Sequence, residues 1–350
     1  MEIQKNQTSF LSILFVGLLS IFYAEVNSGS SPLWFAVWWG WWGVIVVFEL
    51  YLAHLLFYVN VALRTHRVSL TQLYLLGCLV GLYEGPITKV LWFGYPGQPT
   101  DTLILGFAVY EFIMLVFFWH PIFSFLLPVV FYELLSFRYL EKIGSPSWLE
   151  DSFFKTRPRF SKFVLLSVVI IGASFLSVNS HFNIGILLLS GVVNVGLLIL
   201  FKQRLFNSTK LQGINSLYLS RKWLIVVSIY LVLLYSVMFP FIGADLIPGS
   251  LTLILTAVIY LFILGVFFMS PPTRKKKFLN VAENNFSSLI QKYWLLWLIL
   301  ILISPLPFLI PVYSIALVLI YLMLLGFGLL LFLQRTLFVF FLKVRGVKEL

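Results

Sequence analysis

Long apolar runs recur along the whole chain, separated by short polar connectors, and each is close to the length a helix needs to cross a bilayer. Ten such spans are read, at Thr8–Tyr23, Leu33–Leu63, Leu70–Phe93, Thr102–Leu135, Phe160–Val178, Phe182–Phe201, Trp223–Ile242, Ser250–Met269, Tyr293–Ile310 and Pro311–Phe340. The pattern predicts an all-α, polytopic integral membrane protein, located in the cell membrane as a multi-pass chain. Pro305, Pro307 and Pro311 separate the last two spans and predict a tight helical hairpin there.

Basic residues refine this into a topology. Arg64 and Arg67 follow span two, and Arg138, Lys142, Lys155, Arg157, Arg159 and Lys162 follow span four. Lys202, Arg204, Lys210, Arg221 and Lys222 follow span six, Arg274–Lys277 follow span eight, and Lys343, Arg345 and Lys348 follow span ten. The opposite loops carry Glu25, Asp101 and Asp245. The positive-inside rule therefore puts both termini in the cytoplasm. Residues 1–24 read as an uncleaved first span, because no small-x-small pattern closes the apolar run. The basic loop at residues 138–159 divides a four-span part, residues 1–137, from a six-span part, residues 160–350.

Composition agrees with this reading. The chain has 350 residues, 61% hydrophobic and only 11% charged, against about 25% charged in a soluble domain. The net charge of +11 is accounted for by the cytoplasmic loops, so it does not point to nucleic acid. Membrane lipids are the expected surroundings, and other membrane subunits are possible partners. The single cysteine, Cys78, lies in an apolar run and reads as a small buried hydrophobe. No cysteine or histidine spacing suggests a metal, and no motif suggests a cofactor.

Against this apolar background, the first 140 residues hold Glu49, Glu84, Glu111, Glu133, His54 and His120 inside the expected spans. Charge in a membrane is costly and usually marks a site. Span three contains Tyr83-Glu84-Gly85-Pro86-Ile87-Thr88-Lys89, where Pro86 is expected to kink or break the helix and Thr88 shares the face of Glu84. Span four contains Glu111 and then His120-Pro121-Ile122-Phe123-Ser124. Pro121 frees the carbonyl of Phe117, so the span is expected to tilt, protrude or break at His120-Pro121.

Counting about 1.5 Å per residue from the outer span ends puts Glu84 and Glu111 at roughly 15 Å depth, and Glu49 and His120 at roughly 25 Å. This predicts an outer layer of Glu84, Glu111 and Lys89, and an inner layer of Glu49 and His120 with His54. Lys89 is the expected partner of Glu84, since two carboxylates at one depth require a cation or a proton. Glu133 is expected to snorkel toward Arg138. His54, near an inner helix end, reads as structural.

The segments Ala24–Pro32, Tyr83–Lys89 and His120–Ser124 resemble an uncharacterised group of prokaryotic membrane proteins that carry a Glu-Glu-Gly…Thr-Arg segment and a later His-x-x-x-Ser segment. That group is in turn similar to the CAAX-protease and bacteriocin-processing family of intramembrane hydrolases. The resemblance covers about residues 24–135 and implies Glu84 as a water-activating base and His120 as its catalytic companion. Tyr83 stands at the first glutamate position, and Lys89 replaces the arginine one residue farther along. The depth estimate also separates Glu84 from His120 by roughly 10 Å. Three readings stay open: a divergent hydrolase or its non-catalytic relative, an accessory or scaffold subunit of a membrane complex, and a proton-coupled transporter or flippase using Glu84, Glu111 and Glu49 as a relay.

Overall fold

A computed structural model describes residues 10–95, 103–143, 158–207, 213–243, 245–273, 286–305 and 312–350. The helices are α1 (Phe10–Ile21), α2 (Glu49–Arg64), α3 (Leu70–Thr88), α4 (Val90–Phe93), α5 (Val109–Phe112), α6 (Leu127–Ile143), α7 (Pro158–Asn179), α8 (Ile184–Asn207), α9 (Arg221–Phe241), α10 (Ser250–Met269), α11 (Phe286–Ile303) and α12 (Val312–Val344). A two-residue strand pair, Leu103–Ile104 with Phe107–Ala108, precedes α5. π-helical turns fill Phe22–Val26, Trp42–Phe48 and Ile113–Leu126.

Among the described residues, six helical stretches are long and apolar enough to cross a membrane: Trp42–Arg64, Val109–Ser136, Ile184–Leu205, Arg221–Phe241, Ser250–Met269 and Ile315–Val344. Shorter apolar helices lie at Phe10–Val26, Phe163–Asn179 and Ile290–Ile303. The protein is thus a helical, multi-pass membrane protein. The proline-bounded hairpin expected at 305–311 and most of the basic loop at 138–159 fall outside the described residues.

The chain forms two compact units that interleave along the sequence. The first comprises residues 1–56, 127–219 and 275–317. Here α1 packs on α6 and α8, and α11 packs on α6, α7 and α8. Its centre is aromatic: Phe22 meets Trp297 edge-on, and Phe131 lies between Tyr23 and Tyr293. Trp34 donates its indole N–H to Asn194 Oδ1 at 2.9 Å, so this bulky side chain is buried with its one donor satisfied.

The second unit comprises residues 57–126, 220–274 and 318–350. Its axis is α3, which packs along the π segment Ile113–Leu126 more extensively than any other pair of described elements. α9 and α10 also lie against α3. Sidedness is clear. Met114–Phe125 is buried except at Ile122, whereas the Arg221–Phe241 and Ser250–Met269 helices leave most of their apolar side chains open for lipid. Helices in lipid gain little from hiding apolar surface from one another, so close backbone packing and polar contacts must hold them.

Both devices occur at α3. Ser69 and Gln72 form a reciprocal cap at its N-terminus. Gln72 Nε2 then donates to Ser270 Oγ at 2.9 Å and to the carbonyl of Pro271 at 2.7 Å, tying that end to the terminus of α10. Arg67 donates to the carbonyls of Ser270 and Phe268 at 2.9 and 3.0 Å, meeting the acceptor-rich end of the same helix. Farther along, Gly77 and Gly81 face the π segment. A Cβ on Gly77 would fall 2.5 Å from Pro121 Cα, and one on Gly81 would fall 2.9 Å from the carbonyl oxygen of Leu115. These contacts require glycine and set the two backbones side by side.

Candidate functional site

The close approach at Gly77 lays His120 of the π segment against Glu84 of α3. His120 Nε2 lies 2.9 Å from Glu84 Oε2, and the oxygen stands off the axis of a linear ring hydrogen bond. His120 Nδ1 lies 2.9 Å from Ser124 Oγ. The Glu84 side chain is 16% exposed and that of His120 only 4%. A carboxylate, an imidazole and a hydroxyl therefore form one continuous chain within the apolar interior.

This overturns the expected separation of about 10 Å in depth. The helix of span four starts at Val109, after the short strand pair, rather than at Thr102. Measured from Val109, His120 lies about 16 Å deep by α-helical rise, level with Glu84, and shallower still because a π turn takes more residues. Glu111 lies in the first turn of α5, where it is half-buried.

Nor does the helix break at His120-Pro121. The segment runs through Pro121 with π hydrogen bonding. The carbonyl of Phe117 accepts from the Tyr74 hydroxyl at 2.7 Å, which ties α3 to the π segment. π turns inside longer helices are frequent at functional sites, since they re-aim side chains. Trp119 and Phe123 stack at 4.4 Å beside the histidine.

Lys89 is not the partner of Glu84. It sits between α3 and α4 in the left-handed region, with φ 66°, and is 1% exposed. Its ammonium donates to the carbonyls of Ile87 and Phe239 and lies 4.0 Å from the centre of the Phe239 ring. Ile87 and Phe239 lie in the last turns of α3 and α9, so one cation serves two helix C-termini. Thr88, next to it, donates to the Gly85 carbonyl at 3.1 Å and does not reach toward Glu84 through its hydroxyl. Pro86 does not break α3 on the spot; the helix ends two residues later at Thr88. Tyr83 donates its hydroxyl to the carbonyl of Leu231 and packs against Tyr235.

The remaining singled-out residues belong to the first unit. Glu49 opens α2 and is half-buried. His54 Nδ1 lies 2.7 Å from the Leu50 carbonyl one turn earlier. Glu133 does not snorkel: it is 1% exposed, and its Oε2 accepts from the Ile214 N–H at 2.7 Å, capping the start of the Gly213–Leu217 turn. Among the described residues no cluster of three or more His, Cys, Asp or Glu side chains could hold a metal.

Two contributors were missed in the sequence. One is Tyr74, whose hydroxyl has no sequence signature. The other is the glycine spacing Gly77-x-x-x-Gly81-x-x-x-Gly85, which is a legible signal for close helix packing in membranes.

A model of an uncharacterised membrane protein family matches residues 14–344. A relative described as an uncharacterised protein, from Archaeoglobus fulgidus, is 44% identical over 120 residues, which is 34% of this chain and 37% of the relative. The match therefore spans about a third of each protein. No solved structure matches.

Proposed function

Because the chain belongs to this uncharacterised family of membrane proteins, matched over residues 14–344, we propose its role from the site itself: an intramembrane hydrolase of the divergent type, with Glu84 and His120 at its centre. The observation that supports this reading is the 2.9 Å approach of His120 Nε2 to Glu84 Oε2. One carboxylate oxygen faces the imidazole, and the other can accept a proton from water. The imidazole, held on its far side by Ser124, can take up that proton or stabilise developing negative charge. The Glu84 side chain is not fully enclosed, so a small molecule can approach its carboxylate. Ten spans with both termini in the cytoplasm complete the proposal, and membrane lipids are its immediate partners. The competing reading is an accessory subunit in which the same pair only locks α3 to the π segment.

The test is Glu84→Gln and His120→Gln protein in liposomes, assayed on panels of fluorogenic peptides and lipid esters. The proposal expects hydrolysis by the parent protein and a loss of roughly 10²- to 10⁴-fold in each variant, with folding retained. Absence of any hydrolysis, together with a large drop in melting temperature for both variants, would favour the accessory subunit and sink the hydrolase.

A further inference from the structure

Two buried histidines in this chain are held in contrasting ways. His54 rests its Nδ1 on a backbone carbonyl, that of Leu50, which has no proton to give. His120 rests its Nδ1 on Ser124 Oγ at 2.9 Å and its Nε2 on Glu84 at 2.9 Å, so both ring nitrogens face side chains able to exchange protons. A hydroxyl within hydrogen-bond reach of an imidazole that also lies against a carboxylate is a starting arrangement for activating a nucleophile. Here the ring is used the other way round from the familiar serine hydrolases, with the hydroxyl on Nδ1 and the carboxylate on Nε2. Proton transfer through imidazole works in either sense, since each nitrogen can be donor or acceptor. Ser124 is four residues beyond His120 on one continuous π segment, and Ser124 and His120 are both almost fully buried.

We propose that Ser124 is the nucleophile of a covalent acyl-transfer reaction carried by Glu84, His120 and Ser124, with a membrane-resident ester or amide as substrate. The proposal rests on the hydrolase reading above and specifies its chemistry. Ser124 Oγ attacks the acyl carbon while its proton passes to His120 Nδ1. The bond to the leaving alcohol or amine then breaks, and that group takes the proton from His120, leaving an acyl ester on Ser124. Water attacks the ester, gives one proton back through His120 to Ser124, and releases the acid. Glu84 stays a carboxylate throughout and steadies the transient imidazolium.

The test uses the full chain in phosphatidylcholine vesicles with a long-chain alkyl fluorophosphonate. Attack by Ser124 forms a phosphorus–oxygen bond and expels fluoride, so the adduct is permanent and can be located by peptide mass mapping. The proposal expects one adduct, on Ser124, with labelling at least about a hundredfold slower in His120→Gln and about tenfold or more slower in Glu84→Gln, by the rate contributions of base and orienting carboxylate. Ser124→Ala should lose the adduct. Ser124→Cys, which keeps a nucleophile at the site, should be alkylated there by a lipid-soluble iodoacetamide, and His120→Gln should slow that too. Hydrolysis that depends on Glu84, without any Ser124 adduct and with activity surviving Ser124→Ala, would overturn this proposal and leave the water-activating reading standing. Neither hydrolysis nor adduct would overturn both.

Discussion

Glu84 and Lys89 lie five residues apart on one stretch of chain, both charged by nature and both inside apolar surroundings, yet the fold treats them differently. Lys89 is met by backbone: two helix-end carbonyls and an aromatic face surround its ammonium. Those acceptors cannot give or take a proton, so the cation acts as a clamp. Glu84 is met by a side chain, the imidazole of His120, which connects onward to Ser124. Glu133 likewise accepts from a backbone group, the N–H of Ile214. A buried charge in a membrane protein is thus better judged by its partners than by its presence. Backbone partners make a brace, and titratable partners make a site.

The comparison can be broken most severely at the contact that creates it. Gly77→Leu would drive a side chain into the backbone of Pro121, which a Cβ alone would already approach to 2.5 Å. We expect a cost of roughly 3 kcal/mol from overpacking, read as a lower melting temperature in detergent, along with loss of the Glu84–His120 contact. Gly326→Ala, where a Cβ meets nothing within 4 Å, should leave the melting curve unchanged.

Lys89→Met sharpens the contrast. It leaves buried helix-end carbonyls without their donor and should cost about 1–3 kcal/mol. Fluorophosphonate labelling of the folded fraction should stay at the parent rate. A loss of labelling without a loss of stability would place Lys89 in the reactive site and erase the distinction. Tyr74→Phe is the mildest change. It removes the donor to the Phe117 carbonyl and should cost about 1 kcal/mol in the same melting assay.

Much of the fold is legible in the apolar runs. The expected spans at Trp223–Ile242 and Ser250–Met269 nearly coincide with α9 and α10, because each is one uninterrupted apolar helix bounded by polar residues. Span four was harder. Its first residues, Thr102–Ala108, are apolar enough to extend a helix, but Leu103–Ala108 turns as a strand pair through Leu105 and Gly106, both with positive φ. That displaced every depth counted from the span's outer end and hid the meeting of Glu84 with His120. Depth counting also assumes α-helical rise, which fails across a π segment built around Pro121. The Lys89 misreading has a different origin. Charge complementarity pointed to the nearest carboxylate, whereas the capping carbonyl of Phe239 lies 150 residues away in sequence, where no local pattern reveals it.

The most direct test of the central claim is infrared spectroscopy of the Glu84 carboxyl, identified by its loss in Glu84→Gln and followed in reconstituted protein. The account predicts that His120→Gln shifts the Glu84 band while Lys89→Met leaves it in place, because the carboxyl answers to the imidazole and not to the ammonium. A band that moves with Lys89→Met and ignores His120→Gln would contradict the account and return Glu84 to a structural ion pair.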